Sequence, residues 1–325
     1  MRTGINPEKT KNKKLTYWEH RVIMPVYIPN LEEDYYLNAF LVLKKSIDSL
    51  LNTIDCKKTV ITVIDNNSTA IISDFLQELL NDNKIDKLVK YSENKGKVYT
   101  VLSEIKACYE PLITITDSDV FFMNDWEYEV LTVFNNFPKA GFVSPLPCPS
   151  NYKYLNRPLL VNEFFSLKLK NEIKKESFDL FEQGVNPKKD YFQGKKWNWK
   201  EKQYIIVKNN KKVCVGATHF VCTLKREYLN INKLKEPEFV FRNGDEKNYI
   251  EKFIEENGGY RLSTITTNAY HMGNTIDLWV DNYIHEDKQL RVGCINKSKK
   301  GSSYKMSFLF DKALFKILSK IIYVN

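Results

Sequence analysis

The triplet Asp117-Ser118-Asp119 places two carboxylates directly after an apolar run at residues 112–116. A run of this length and composition is typical of a buried strand, so the carboxylates are expected at the carboxyl end of that strand. Hard cations such as Mg²⁺ and Mn²⁺ prefer oxygen ligands, and proteins commonly hold them with one or two carboxylates and the phosphate oxygens of a substrate. The triplet therefore predicts a divalent-cation site that faces a diphosphate, although a turn or a solvated surface also accommodates this spacing.

Two short polar segments occupy comparable positions further upstream. Asp65-Asn66-Asn67-Ser68 follows another apolar run, and its side chains suit recognition of a nucleobase or ribose; an ordinary Asx turn is the structural alternative. Asn94-Lys95-Gly96-Lys97 opens a helical pattern. The backbone N–H groups of this segment and the Lys97 side chain suit phosphate binding, and a capped helix start is the alternative.

Acids and a histidine recur in the second half of the chain. Asp245 and Glu246 precede a helical stretch at residues 249–256, and His271 follows a strand-like run at residues 261–269. Taken alone, the acids would complement a helix dipole and the histidine would be a partly buried one. Together with the upstream segments, they form a series of strand ends and helix starts that all carry acidic, imidazole or short polar side chains.

The elements that must position these side chains alternate between strand and helix. Strand patterns occupy residues 21–27, 59–65, 87–91, 112–116 and 141–144, and helical patterns occupy residues 40–51, 71–80 and 98–108. This alternation predicts an α/β fold with a doubly wound, mostly parallel sheet and helices on both faces. Ligands of such sheets bind beyond the carboxyl ends of the strands, where Tyr27, Asp65 and Asp117 should emerge.

The pattern becomes irregular after Pro145. We predict one strand at residues 213–224, a helix at 249–256 that Gly258-Gly259 closes, and an amphipathic C-terminal helix at 306–323. The last helix is predicted to have an apolar face and a lysine face, formed by Phe310, Leu314, Ile317, Leu318 and Ile321 and by Lys312, Lys316 and Lys320.

Composition excludes several classes of protein. The 325 residues with 43% hydrophobic content are enough for a packed core, and neither a membrane-spanning stretch nor the apolar segment of a secretory signal is visible, which predicts a cytoplasmic protein. The six cysteines lack close metal-type spacing, so neither a zinc site nor a disulfide framework is expected.

The net charge of +9 is concentrated in residues 166–212 and 295–325, which contain lysine and no arginine. Nucleic acid is therefore not an expected partner.

In the order and spacing of its segments, the chain resembles the family 2 nucleotide-sugar glycosyltransferases, which have the GT-A fold. The resemblance covers residues 21–274 and rests on Pro25-Val26-Tyr27, Val63-Ile64-Asp65-Asn66-Asn67-Ser68, Asn94-Lys95-Gly96, Asp117-Ser118-Asp119, Gly216-Ala217-Thr218-His219-Phe220 and Gly244-Asp245-Glu246 leading to Gly259-Tyr260. It implies metal-dependent, inverting transfer of a sugar from a nucleotide diphosphate, with Mn²⁺ or Mg²⁺ as the cofactor. It also implies a domain at residues 1–290, with a nucleotide-sugar half at 21–144 and an acceptor and catalytic half at 145–290, followed by a basic extension at 291–325.

The resemblance further implies roles for single residues. Asp65 and Asn66 would contact the base, Asp117 the ribose or bound sugar and the metal, and Asp119 the metal, whose coordination His271 would complete. The remaining contacts to the nucleotide sugar are assigned to Pro25, Tyr27, Asn94, Lys97 and Ser118.

The catalytic base is assigned to the pair Asp245-Glu246, and register favours Glu246. The family more usually has Glu-Asp at this place, so the choice between the two carboxylates stays open. It also often has Asp-Asp where this chain has Asp65-Asn66, which leaves the donor nucleotide open between UDP, the default, and GDP or another nucleotide.

The expected acceptor is a glycan or lipid-linked glycan, as in the synthesis of a bacterial surface polysaccharide. Residues 166–212, rich in aromatic side chains and lysines, are either an acceptor-binding region or a solvated loop. Residues 303–325 either contact an anionic membrane at the inner face of the cell membrane or pack on the domain. Two other classes stay open: a carbohydrate-binding protein without turnover, and a nucleotidyltransferase, although no Gly-rich phosphate loop follows the first strand.

Overall fold

A computed structural model describes residues 4–11, 16–185, 199–242, 245–285 and 308–322. The strands are β1 (His20–Val26), β2 (Thr59–Asp65), β3 (Lys87–Lys90), β4 (Leu112–Thr116), β5 (Val120–Phe122), β6 (Ala140–Ser144), β7 (Lys168–Lys170), β8 (Gln203–Lys208), β9 (Lys211–Val215), β10 (Val221–Lys225), β11 (Tyr260–Ser263) and β12 (Ala269–His271). The α-helices are α1 (Ala39–Leu51), α2 (Ala70–Asn81), α3 (Lys97–Ala107), α4 (Trp126–Asn136), α5 (Arg157–Asn162), α6 (Lys175–Val185), α7 (Lys252–Glu256), α8 (Leu278–Asp281) and α9 (Phe308–Ile322).

Ten of the strands form one mixed sheet in the order β3-β2-β1-β4-β10-β6-β11-β9-β8-β7. The first four strands of this order are mutually parallel, and β6 is parallel to β11, whereas β10 lies antiparallel between β4 and β6. The predicted α/β fold with a mostly parallel sheet is confirmed. The five strands predicted up to residue 144 agree with β1, β2, β3, β4 and β6 to within one residue at each end.

The side chains of β1 show why helices cover both faces of the sheet. Val22 and Met24 belong to a hydrophobic cluster that includes Leu43 of α1, whereas Ile23, between them, belongs to a second cluster that includes Val101 of α3. Because successive side chains of a strand point to opposite faces, an apolar run without alternation must be buried on both sides. The continuous apolar composition of the early strands therefore requires the observed helical layers.

The prediction of one strand at residues 213–224 is wrong. The structure divides this stretch into β9 and β10, which occupy different positions in the sheet. Gly216 directly follows β9 and has a φ of +113°. A Cβ atom there would lie 2.3 Å from the carbonyl oxygen of Cys148. Only glycine tolerates both the positive φ and this close approach, so the chain turns where an apolar pattern alone suggests continuity.

Two further predictions need correction in the same half of the chain. The run at residues 261–269 is not one strand, because β11 joins the large sheet and β12 pairs with β5 in a separate two-stranded sheet. The helix predicted at residues 249–256 begins earlier and contains a π-helical turn, Lys247–Glu251, before α7. Hydrophobic periodicity does not reveal which sheet a strand joins or where a helix widens.

The C-terminal helix α9 packs on the domain. The carbonyl oxygen of Ile322 accepts a hydrogen bond of 2.9 Å from the Tyr204 hydroxyl, and Phe315 packs against the main hydrophobic cluster. Ile317 and Ile321 of the predicted apolar face are 60% and 49% exposed, so this face does not pack entirely on the domain. The side chains predicted at Phe310 and Lys312, and residues 303–307, lie outside the described residues.

Candidate active site

The carboxylates of Asp117 and Asp119 and the imidazole of His271 meet at the carboxyl end of β4. The short strand β5 follows the triplet directly and pairs antiparallel with β12, with Val120 opposite His271. The backbone N–H of Met272 also donates a hydrogen bond of 2.8 Å to the carbonyl oxygen of Asp119. The two-stranded sheet thus brings a histidine that lies about 150 residues away in the chain next to the aspartates.

The donor set of this cluster fits a divalent cation. Ligand atoms of Asp117, Asp119 and His271 all lie within 4.8 Å of one another, and the Nε2 atom of His271 is 3.4 Å from Oδ2 of Asp119. Among the described residues, the buried Oδ1 atom of Asp119 has no hydrogen-bond partner. An unpartnered buried carboxylate oxygen is costly unless something positive satisfies it, and two carboxylates with one imidazole suit Mn²⁺ or Mg²⁺. The residues present therefore fit the predicted metal.

Electrostatics at Asp119 point in the same direction. Burial raises the pKa of Asp119 to about 6, and the charge of Asp117 adds to this rise, whereas His271 and Lys97 oppose it. Two neighbouring carboxylates in a partly dry site repel each other, and a bound cation would relieve this repulsion. The acidic pair is thus a site that favours a positive charge.

Lys97, at the first position of α3, lies between the metal cluster and the predicted base. Its Nζ atom is 2.5 Å from Oδ1 of Asp117 and 3.6 Å from Oε1 of Glu246. Burial acts to lower the pKa of Lys97, but the charges of Asp117 and Glu246 outweigh it and raise that pKa. Gly96 precedes it with a φ of +80°. The predicted phosphate-binding lysine is therefore at the site, where two carboxylates are its partners.

The two side chains of the acidic pair, Asp245 and Glu246, differ in burial. Asp245 is buried, and its backbone N–H donates to the carbonyl oxygen of Arg242 at 3.2 Å. Glu246 is partly exposed and lines a cleft together with Lys97 and His219. The favoured base is thus the carboxylate of the pair that faces the cleft.

The π-helical turn that follows the acidic pair is held by a buried ion pair. Oε2 of Glu251 accepts a hydrogen bond of 2.9 Å from Arg261, whose guanidinium lies 3.9 Å above the ring of Phe142. π-Helical turns are rare and occur mostly at functional sites. Here the turn begins at Lys247, directly after Glu246.

The predicted base-reading residues make local hydrogen bonds at the ends of β2 and β3. Oδ1 of Asp65 accepts from the backbone N–H of Ser68, three residues further on, at 2.8 Å. Asn66 donates to Oδ1 of Asn94 at 2.8 Å and accepts from the backbone N–H of Lys95 at 2.9 Å. These bonds link the segment after β2 to the segment that leads from β3 into α3.

Other residues show what the sequence interpretation included and what it missed. Tyr27 follows β1 with 39% of its surface exposed, and Pro25 lies in β1 opposite Ile64 of β2. Tyr35 was not predicted: partial burial, together with the charges of Asp119 and Asp117, raises the pKa of its hydroxyl group. Tyrosine in a loop after the first strand carries no spacing signal. Among the aromatic side chains of residues 166–212, Tyr191, Phe192 and Trp197 lie outside the described residues.

Comparisons with known proteins found one family match and similarities to solved structures. The profile of glycosyl transferase family 2 matches residues 26–185. Among solved structures, the chain is similar to the mannosyltransferase PcManGT from Pyrobaculum calidifontis in complex with GDP-Man and Mn²⁺, with 16% identity, a TM-score of 0.44, and coverage of 77% of this chain and 55% of that one. It is also similar to S. aureus TarS 1-349, with 12% identity, a TM-score of 0.45, and coverage of 78% and 59%.

The chain therefore spans less than two thirds of the length of these solved proteins. No curated protein matches its sequence. Within the described part of the chain, no helix combines the length and apolar character needed to cross a membrane.

Proposed function

The chain is a family 2 glycosyltransferase, and we propose that it is a metal-dependent, inverting enzyme that transfers a sugar from a nucleotide diphosphate, with UDP favoured, to a hydroxyl group of a glycan or lipid-linked glycan. The observation that carries this proposal is the cluster of Asp117, Asp119 and His271 with its unpartnered carboxylate oxygen. We propose residues 21–144 as the half that binds the nucleotide sugar and residues 145–290 as the half that binds the acceptor, with residues 291–325 as a basic extension.

Asp119 and His271 would hold Mn²⁺ or Mg²⁺, with Asp117 as a third ligand or as a contact to ribose. The metal, when bound, supplies positive charge to the diphosphate as it leaves with the electrons of the glycosidic bond. Asp65, Asn66, Asn94, Pro25, Tyr27 and Ser118 would bind the nucleotide sugar. Their support is their position beyond the carboxyl ends of neighbouring parallel strands, where ligands of such sheets bind.

Glu246 would act as the catalytic base. A hydroxyl group is a poor nucleophile near neutral pH, so a carboxylate within hydrogen-bond reach must remove its proton as the new bond to the anomeric carbon forms. Glu246 is supported by its place in the cleft, and Asp245, which is buried, is the less favoured carboxylate. Direct attack on the face opposite the leaving group inverts the anomeric centre.

Lys97 would keep both carboxylates in place. Its ammonium group lies between Asp117 and Glu246, so one cation links the donor side of the site to the base. Movement of Lys97 toward the diphosphate would preserve its predicted phosphate contact. In either position, its charge offsets negative charge that the reaction develops.

A lipid-linked acceptor is favoured over a free glycan by the loop before the acidic pair. Phe239, Val240 and Phe241 are 50%, 56% and 87% exposed. Three consecutive exposed apolar residues are uncommon on a protein surface without a binding role. Since the acceptor hydroxyl must reach Glu246, an apolar loop a few residues upstream suits an acceptor with an apolar segment.

A peripheral membrane contact at the cytoplasmic face, in the synthesis of a surface polysaccharide, follows from such an acceptor. The C-terminal helix α9 adds Ile317 and Ile321, which are exposed beside Lys316 and Lys320. Apolar and lysine side chains on one exposed helix surface suit an anionic membrane. Because α9 also packs on the domain, this contact would use its outer surface alone.

A thermal-shift panel of UDP-, GDP- and CMP-sugars, each with and without Mn²⁺, tests the proposed donor and metal. We expect one nucleotide class to raise the melting temperature of the wild-type protein only when Mn²⁺ is present. The same nucleotide should give no shift with Asp119→Ala. Binding without turnover would favour a carbohydrate-binding protein, and equal shifts with and without Mn²⁺ would contradict metal dependence.

A further inference from the structure

The second ring nitrogen of His271 is fixed by a backbone carbonyl from a different element. Nδ1 of His271 lies 2.8 Å from the carbonyl oxygen of Gly184 in α6. A carbonyl oxygen can only accept a hydrogen bond, so Nδ1 must carry the proton in this contact. In the neutral ring, Nε2 then keeps its lone pair, and Nε2 is the atom that lies 3.4 Å from Asp119 in the cluster.

The position of Gly184 within α6 explains why its carbonyl is free to accept. The helix ends at Val185, and the last four carbonyl groups of an α-helix lack partners within the helix. The same end carries the negative pole of the helix dipole. A hydrogen bond to this carbonyl therefore satisfies an otherwise unpartnered acceptor and increases the electron density on the imidazole.

Residue 184 must be glycine for this contact to form. A Cβ atom at this position would lie 2.5 Å from the carbonyl oxygen of His271 and 3.3 Å from the His271 Cβ atom. Separations under about 3 Å are strongly repulsive, and both nearby groups belong to the strand that places the imidazole. Any side chain would push α6 away from β12 and lengthen the hydrogen bond.

We propose that Gly184 is a positioning residue for the metal histidine: its carbonyl selects the tautomer that leaves the lone pair of Nε2 free to bind a cation at the cluster with Asp117 and Asp119. The inference rests on the proposed metal site and extends it to α6, which no sequence motif linked to the metal. Partners of this kind orient metal-bound histidines and raise their basicity, and their loss typically weakens metal binding about 10- to 100-fold.

The test compares Gly184→Ala with Gln183→Ala, an exposed neighbour in the same helix. Electron paramagnetic resonance would measure the dissociation constant for Mn²⁺ in the absence of nucleotide. We expect Gly184→Ala to bind Mn²⁺ about 10- to 100-fold more weakly than the wild-type protein. Gln183→Ala should match the wild type, and Mn²⁺ affinity within twofold of wild type in Gly184→Ala would overturn the inference.

A second measurement does not depend on how well the alanine variant folds. ¹⁵N spectra of the metal-free wild-type protein with labelled histidine, assigned with His271→Asn, would report the tautomer of each of the four histidines. We expect the proton of His271 on Nδ1. A proton on Nε2 would refute the positioning role, whereas an Nδ1 proton in a wild-type protein that binds no Mn²⁺ would refute the proposed metal instead.

Discussion

The ammonium group of Lys97 and the carboxylate of Asp117 form an ion pair of 2.5 Å at the centre of the candidate site. Lys97 comes from the start of α3, and Asp117 follows β4, so the pair joins two elements of the proposed nucleotide-sugar half. The same ammonium is 3.6 Å from Glu246 of the other half. One lysine thus holds the proposed metal ligand and the proposed base in a common arrangement.

Removal of this charge should reduce turnover strongly. We expect Lys97→Met to lose roughly 2–3 kcal/mol of transition-state stabilisation, less than for a fully buried pair because each side chain is 28% exposed. This corresponds to a decrease of about 30- to 150-fold in kcat/KM. Lys95→Met is the matched control, since Lys95 is partly exposed and, among the described residues, its ammonium group pairs with exposed Glu93. Equal kcat/KM for the two variants would contradict the role of Lys97.

Substitution of Gly96 should destabilise the fold through a steric clash with Val240 as well as through backbone strain. A Cβ atom there would lie 1.8 Å from the carbonyl oxygen of Val240, and its φ is +80°. Gly4 has a φ of +84°, but a Cβ atom there would have nothing within 4 Å. Gly4→Ala therefore measures the cost of backbone strain without a steric clash. We expect Gly96→Ala to lower the free energy of unfolding by more than the roughly 1–3 kcal/mol typical of positive-φ strain. Urea denaturation showing equal losses for Gly96→Ala and Gly4→Ala would be inconsistent with the contact.

The stability of the fold should be sensitive to acid in part because of a cluster at the amino ends of β1 and β2, away from the candidate site. Oε1 of Glu127 lies 2.7 Å from Nδ1 of His20, and Oε2 accepts from the backbone N–H of Asp55 at 3.0 Å. Burial acts to raise the pKa of Glu127. This effect is smaller than that of its hydrogen bonds to His20 and Thr59 and of the charge of His20, so the pKa of Glu127 is lowered. A carboxyl group with a lowered pKa stabilises the fold above its unfolded pKa of about 4.3, and this contribution is lost as the pH falls through the folded pKa.

Glu127→Gln should therefore reduce stability near neutral pH and weaken its dependence on acid. We expect a decrease of roughly 3–5 kcal/mol in the free energy of unfolding near pH 7, as for loss of one partner of a buried pair. The further decrease below pH about 4.3 should be smaller than in the wild type. Urea titrations across this range, with exposed Glu227→Gln as control, would measure both effects. An acid profile unchanged from wild type would show that Glu127 does not contribute.

The apolar loop at residues 239–241 should contribute to lipid binding. We expect the double variant Phe239→Ser/Phe241→Ser to bind vesicles of phosphatidylcholine and phosphatidylglycerol at least about tenfold more weakly, because each phenylalanine loses roughly 1.5–3 kcal/mol of burial. Phe165→Ser is the control, since Phe165 is 97% exposed elsewhere on the surface. Flotation of a third variant, Ile317→Ser/Ile321→Ser, measures the part of α9. Loss of binding in that variant alone would assign the contact to the helix and reject the loop.

The sequence predicted local elements well and long-range pairings poorly. The strands β2 and β4 agree with prediction residue for residue, because short apolar runs that end in polar turns have few alternatives. The division of residues 213–224 at Gly216 depends on the approach of Cys148, a contact between distant segments that no local pattern records. Similarly, the spacing of His271 does not indicate that β12 would leave the large sheet and pair with β5.

In the candidate site as well, local features could be predicted and long-range contacts could not. Asp117 and Asp119 could be named because carboxylates at a strand end suit a metal, whereas the roles of His271 and of Asp245-Glu246 came from the resemblance to family 2 glycosyltransferases. The partners of those groups could not be named, because Lys97 reaches Glu246 and Gly184 reaches His271 only through packing between segments that are distant in the chain. Function-bearing side chains are therefore easier to predict than the groups that orient them.

Calorimetric titration of the metal-free protein with UDP and with GDP, each with and without Mn²⁺, tests most directly whether Asp119 holds a cation beneath a diphosphate. One nucleotide should bind the wild-type protein tightly only with Mn²⁺ present, and Asp119→Ala should reduce that binding at least about tenfold while its unfolding transition persists. Binding that is equally tight without Mn²⁺, or unchanged in Asp119→Ala, would contradict the account.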